Sequence, residues 1–240
     1  MTKSEERGGV ALWRRIADDI RLDIVGGKLP RGERLPTEAA LAERFSANRH
    51  TVRRALAVLA EEGVVRAEQG RGTFVLEARR LSYPIGRRTR FTEGLAGQAR
   101  DTRTELLSSG QENATFNVAR GLGINPGTRV VRLEVLSFAD GRPLSRSTSW
   151  FAYRRFPAIA ATYAETGSIT RALAQLGVED YVRQSTRISA RHATPDEALL
   201  LRLAPGSVML VTEIVDADQQ AEPIQYALSR FPAERLELVA

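Results

Sequence analysis

From residue 10 to 25 the apolar side chains Trp13, Ile16, Ala17, Ile20 and Ile24 recur at the spacing of one helix face, with Arg14, Asp18, Asp19 and Arg21 between them. Gly26-Gly27 stops that helix, and the run LPRGERLP, with Pro30, Gly32 and Pro36, predicts a loop. Thr37 is a good N-cap and Glu38 adds negative charge to the first turn, so a short second helix is expected over EAALAERF, anchored by Leu41 and Phe45. Ser46-Ala47 makes a tight connection. Asn48 then caps a third helix, RHTVRRALAVLAEE, ending at Gly63, whose buried stripe is Val52, Ala55, Leu56 and Leu59. The opposite arc carries Arg49, His50, Arg53 and Arg54.

The pattern changes after Gly63. Val64-Val65 and Thr73-Phe74-Val75 are strand formers flanking the turn Gln69-Gly70-Arg71-Gly72, which predicts a β-hairpin. Three helices followed by a hairpin predict a winged helix-turn-helix over residues 1–76. The segment 77–90, EARRLSYPIGRRTR, is arginine-rich and punctuated by proline and glycine, and reads as an interdomain linker. Residues 91–240 predict an α+β domain with a mainly antiparallel sheet. Its expected elements are a strand at TELLSS, a helix from Asn113 to Leu122, a hairpin around Asp140-Gly141 and a helix from Ser168 to Leu176. A strand at YVRQSTRISAR follows, then a helix through Leu203 opened by a capping box at Thr194-Pro195-Asp196-Glu197, and a closing hairpin from Val208.

Composition narrows the chemistry. The 240 residues are 42% hydrophobic, enough to bury a core in more than one domain, and 35 basic against 29 acidic side chains leave a net charge of +6, which favours polyanionic partners. The absence of cysteine excludes disulfides, thiolate metal sites and cysteine nucleophiles, and the two histidines, His50 and His192, lie far apart in sequence, so neither a metal nor a cofactor is expected. The opening MTKSEERGG has no apolar run behind it, and no stretch approaches the length of a membrane span, so a cytoplasmic location without a membrane partner is expected.

The basic residues are not evenly spread. From Arg44 through Arg54 there are four arginines and no acid. The second helix of a helix-turn-helix enters the major groove with its N-terminal residues reaching base edges, and here that end carries Asn48, Arg49, His50, Thr51 and Arg53. A charge cluster by itself also fits a solvated helix face. Its position at the start of the third helix, after a short turn and before a Gly-rich hairpin, favours double-stranded DNA. The run from LPRGERLPTEAALAERF through NRHTVRRA to EQGRGTFV resembles the DNA-binding domain of the GntR superfamily of bacterial repressors, over about residues 10–76. The resemblance implies a homodimer on an inverted-repeat operator, contacts from Arg49 and Arg53 with Asn48, His50 and Thr51 beside them, and a wing tip at Gln69 and Gly70, where the hairpin's own pattern has Arg71 supplying charge. Some members carry a further arginine early in the second helix, where this chain has Ala39.

In the second domain, strict alternation along YVRQSTRISAR puts Arg183, Ser185, Arg187, Ser189 and Arg191 on one strand face, with Ile188 opposite. Guanidinium and hydroxyl donors suit a multiply charged oxyanion, and a solvent-exposed polar strand shows the same pattern. From about residue 80 the chain resembles the UTRA effector domain of the HutC subfamily, whose fold is similar to chorismate lyase. NRHTVRRA, YPIGRRTRFTEGL and QSTRISARHA together resemble PhnF-type repressors of phosphonate-utilisation genes. This implies a small phosphonate- or phosphate-like effector, with Arg90, Thr92, Arg187, Ser189 and Arg191 as candidate contacts. Tyr226 is a further candidate that equally fits an aromatic core position. Val135 and Ser137 stand where sugar-phosphate-sensing relatives often have arginines, and Pro232 where relatives often have an arginine, for which Arg230 is a candidate substitute. A different anionic metabolite, or a constitutive DNA-binding protein, are the alternatives. No nucleophile with its base is recognisable, and Glu134 and Glu213 are isolated acids, so an enzyme is not expected.

Overall fold

The computed structural model describes residues 11–76, 80–86, 94–95 and 97–239, and the chain divides into two compact units, 1–79 and 80–240. In the first unit α1 (Leu12–Val25), α2 (Glu38–Arg44) and α3 (Arg49–Glu61) precede the hairpin of β1 (Val65–Glu68) and β2 (Gly72–Val75). The caps are the expected ones: Thr37 Oγ1 accepts from the Ala40 amide at 3.2 Å, and Asn48 Oδ1 from the Thr51 amide at 2.8 Å. The apolar stripes of the three helices meet in one core in which Ile20, Leu41, Val52 and Leu59 are fully buried. The hairpin closes this core with Val65 and Val75, which pair directly across the two strands. Gly70 turns the hairpin at φ 73°, a conformation that a side chain would strain.

The second unit is built on a six-stranded antiparallel sheet of order β4-β5-β6-β9-β8-β7: β4 (Thr102–Asn113), β5 (Arg129–Ala139), β6 (Arg142–Ala152), β7 (Val182–His192), β8 (Val208–Ala217) and β9 (Pro223–Pro232). Asp140-Gly141, both at positive φ, turn β5 into β6. Among the described residues four helices dress the sheet: α4 (Phe116–Leu122), α5 (Ile159–Thr166), α6 (Ile169–Gln175) and α7 (Pro195–Leu200). On one face α5 and α6 bury Ile159, Tyr163, Ala172 and Leu173 against Val131, Leu133 and Val135 of β5. On the other, α4 covers Val130 and Tyr226, while Leu201 and Leu203 beyond α7 pack on Leu136, Met209 and Val211. This is the α+β, mainly antiparallel architecture expected.

Three local expectations are corrected. The span 77–90 is not linker throughout, because Leu81–Pro84 forms a strand, β3, pairing in parallel with β10 (Leu236–Val239) at the other end of the unit. Helix α5 was not predicted; its sequence, IAATYAET, has no capping side chain at Ala158 and a weak periodicity. The alternation along β7 is broken: Arg183 opposes Asp216, but Ser185 opposes Val215, so a bulge at Gln184 moves every residue beyond it to the other face.

Candidate nucleic-acid interface and ligand cavity

The N-terminal end of α3 is displayed to solvent. Asn48, Arg49, His50 and Arg53 are exposed and Thr51 is half-buried. Arg49 and Arg53 stand four residues apart and share one helix face. Asn48 Oδ1 also accepts from the Thr51 hydroxyl at 2.9 Å, so its carbonyl end is committed to the cap. Arg53 leans on the first turn of α2, with Nη2 2.9 Å and Nε 3.3 Å from the two oxygens of Glu38, and this contact holds the Glu38 carboxyl below its usual range. Arg54 stacks 4.7 Å over the Trp13 ring. At the hairpin tip Gln69, Gly70 and Arg71 are all exposed, with Arg71 Nη1 2.6 Å from Glu68.

The second unit holds a cavity of ≈ 190 Å³ between the sheet and the helices α5 and α6. That is smaller than a drug-sized site of ~300–1,000 Å³ and suits a small metabolite. Its floor presents Ser137 of β5, Ser147 and Ser149 of β6, Thr212 of β8 and Ser229 of β9, and Tyr163, Thr170 and Tyr181 close it from above. Gln225, Asp216 and Arg183 stand at one end, with Arg183 Nε 3.8 Å from Asp216 Oδ1. Tyr83 and Ile85, from β3 and the residue after it, complete the wall beside Leu238 of β10.

The bulge at Gln184 decides which predicted side chains reach this cavity. Arg183 does. Arg187 and Ser189 are exposed on the opposite face of the sheet, level with Glu213 and Val211. Arg191, on that same opposite face, grips Glu197 with Nη1 and Nη2 at 2.7 Å each, and Glu197 in turn closes the capping box that starts α7. The Arg191 hydrogen bonds, aided by the Thr194 amide and overcoming burial, pull the Glu197 carboxyl down to about 2. Tyr226 also lies outside the cavity: its ring packs under α4, where a Cβ on Gly121 would come 2.4 Å from it, and its hydroxyl donates to Glu213 at 3.2 Å. Burial and the Glu213 charge push that phenol up to about 12. Arg230 points the same way, donating to Thr148 Oγ1 at 2.8 Å, on the strand face it shares with Pro232. Glu134 is a buried strut, accepting from Arg146 Nε at 2.5 Å and Thr148 Oγ1 at 3.0 Å. Arg90 and Thr92 lie outside the described residues.

The serines of the cavity floor were passed over in the sequence, although their signal is present. Ser145, Ser147 and Ser149 alternate in RPLSRSTSWF, and Ser229 follows at a matching position in the closing strand. Val135 and Ser137 line the cavity as well.

A family model for bacterial regulatory proteins of the gntR family matches residues 12–75, and one for the UTRA domain matches residues 97–237. The chain is 50% identical over 234 residues, 98% of its own length and 96% of the relative's, to an uncharacterised HTH-type transcriptional regulator of Rhizobium meliloti (strain 1021). It is 34% identical over 208 residues to the probable transcriptional regulator PhnF of Escherichia coli (strain K12), covering 86% of this chain and 85% of that one. Among solved structures, that of PhnF from Mycobacterium smegmatis matches with a TM-score of 0.64 at 26% identity, covering 92% of this chain and 96% of that one.

Proposed function

The chain belongs to the GntR family of bacterial regulatory proteins and carries a UTRA domain, and from that premise we propose that it is a homodimeric repressor released from its operator by a small phosphonate- or phosphate-type effector. It is a transcriptional regulator of the PhnF type rather than an enzyme, in keeping with relatives that are regulators. GntR regulators bind DNA and UTRA domains bind small-molecule effectors, which distributes the two tasks over the two units.

In this reading Arg49 and Arg53 take base edges in the major groove. Asn48, His50 and Thr51 hold bases or phosphates beside them, and Gln69, Gly70 and Arg71 of the wing approach the adjacent backbone. A dimer places its two heads on half-sites about 34 Å apart. The effector occupies the cavity walled by Arg183, Ser147, Ser149 and Ser229, and the phosphorus-containing class is suggested by the likeness to PhnF. The observation that carries the coupling is the cavity wall itself. Tyr83 and Ile85 belong to the first stretch of chain after the DNA-binding unit, so a guest touching them acts on the segment through which that unit is attached. Release follows if the guest binds the non-operator arrangement more tightly than the operator-bound one.

The test is a gel shift with a duplex recovered by selection from random sequence, repeated against phosphate and a panel of phosphonates. An inverted repeat retained by the protein and released by at least one phosphorus compound is expected. Retention that none of them alters counts against the effector class, and failure to select any duplex at low salt counts against the whole reading.

A further inference from the structure

Glu38 and Arg53 belong to different helices and meet at the surface of the first unit. Thr37 caps α2, so Glu38 is the first residue of that helix, and Arg53 stands one turn into α3. Leu41 and Val52, both fully buried, hold the two helices together in the core. The Arg53 fork meets the carboxylate side-on, with Nε 3.3 Å from Oε1 and Nη2 2.9 Å from Oε2. Among the described residues Arg53 has no other hydrogen-bond partner. Bonds along the Nε edge leave the end-on edge, formed by Nη1 and the second hydrogen of Nη2, open to another planar acceptor. Guanine O6 and N7 form such an acceptor, and arginine bidentate to guanine is the commonest specific contact in the major groove.

The pair is open to solvent, with 64% of the Arg53 side chain and 39% of the Glu38 side chain exposed. An ion pair so exposed adds little to folding. It also opposes DNA binding in general, because an acid beside an arginine cancels part of its attraction to phosphate. What it supplies is orientation: a long side chain ordered before docking loses less entropy on contact. Neighbouring arginines are anchored differently, Arg44 on Asp23 and Arg54 over the Trp13 ring. The hydrogen bonds from Arg53, then the charges of Arg53 and Arg49, outweigh partial burial and hold the Glu38 carboxyl below its usual range, so it is ionised at neutral pH.

We infer that Glu38 is a specificity-determining positioning residue, which clamps the Arg53 guanidinium side-on and thereby sets its end-on edge for a guanine. The inference rests on α3 entering the major groove, as proposed above. To that reading it adds the base that Arg53 takes and the side chain that aims it.

The test uses the full chain and the selected duplex in fluorescence anisotropy, with Glu38→Gln, Arg53→Ala and the double variant. Glutamine keeps the length of the side chain and removes its charge and one acceptor. The wild type is expected to prefer that duplex over a copy with one guanine replaced by adenine by roughly five- to 150-fold, and Arg53→Ala to abolish this preference. Glu38→Gln is expected to shrink it by about threefold or more, while an unrelated duplex binds as tightly or tighter, since losing a negative charge does not weaken phosphate contacts. A variant damaged in folding would lose both duplexes together, and the melting temperature checks this. In the Arg53→Ala background Glu38→Gln should change the ratio of selected to unrelated binding by less than about twofold, as expected when the partner of the clamp is already gone. An unchanged guanine preference in folded Glu38→Gln overturns the inference. So does an equal loss of that ratio without Arg53, because Glu38 then meets a base itself. The absence of any guanine whose replacement depends on Arg53 overturns it on the wild type and Arg53→Ala alone. Each of these leaves DNA binding standing, whereas failure to retain any duplex at low salt removes that reading and the inference together.

Discussion

Replacing Arg191 by methionine removes a guanidinium that sequence alternation would place in a ligand site and the structure places on a helix cap. Methionine keeps the apolar stem and deletes the charge. Glu197, 4% exposed, loses its two 2.7 Å hydrogen bonds and keeps the Thr194 amide at 3.0 Å and Arg230 at 3.5 Å. In the unfolded chain this carboxyl titrates near 4.5, and in the folded protein near 2. At ~1.36 kcal/mol for each tenfold change in proton affinity that corresponds to roughly 3 kcal/mol. Arg191 is itself 41% exposed, so solvent screening reduces its share to about 1–2 kcal/mol. For a unit of this size that is about 2–8 °C of melting temperature. The folded carboxyl is the more acidic one, so the stabilisation is fully present above pH 4.5 and is lost as the pH falls toward 2. Urea unfolding followed by Trp150 fluorescence in a Trp13→Phe background reads the second unit alone. The Arg191→Met midpoint should fall below that of the parent at pH 7, and the gap should narrow steadily from pH 4.5 downward. Equal midpoints at pH 7, or a gap undiminished at pH 2.5, would refute the reasoning. Effector response should persist in this variant, since Arg191 does not line the cavity.

Arg49→Ala should weaken operator binding by about 1–3 kcal/mol per site, roughly five- to 150-fold, in a gel shift; unchanged affinity would remove Arg49 from the interface. Gly121→Ala drives a methyl group to 2.4 Å from the Tyr226 ring and should cost about 1–3 kcal/mol, visible as a lowered melting temperature of the second unit. A wild-type melt there would mean that α4 is not seated on Tyr226. Leu41→Ala empties a fully buried site between α1 and α3 and should destabilise the first unit by about 2–5 kcal/mol in denaturant titration; a loss below 1 kcal/mol would contradict that packing.

The DNA-binding unit was legible because its signals are local. Thr37 and Asn48 cap the helices that follow them by accepting from an amide three residues downstream, the apolar stripes of α1 and α3 follow a single helical period, and the Gly-rich turn joins strands that are neighbours in sequence. Each of these choices is made within about a turn of backbone. The hairpin at Asp140-Gly141 and the capping box at Thr194 were read for the same reason.

What decided the ligand cavity is not local. One extra residue at Gln184 carries Arg187, Ser189 and Arg191 to the far side of the sheet and keeps Arg183 on the near side, and a bulge depends on how β7 meets β8 rather than on its own sequence. The parallel pairing of β3 with β10 joins segments about 155 residues apart, which no periodicity announces, yet it brings Tyr83 and Leu238 to one wall. The chain by itself therefore determined that it has a three-helix unit closed by a hairpin, which elements build it and which side chains it exposes. Only tertiary pairing determined which of several equivalent arginines faces a cavity and which ones brace the fold, because a strand's side chains acquire a face only when a partner strand sets their register.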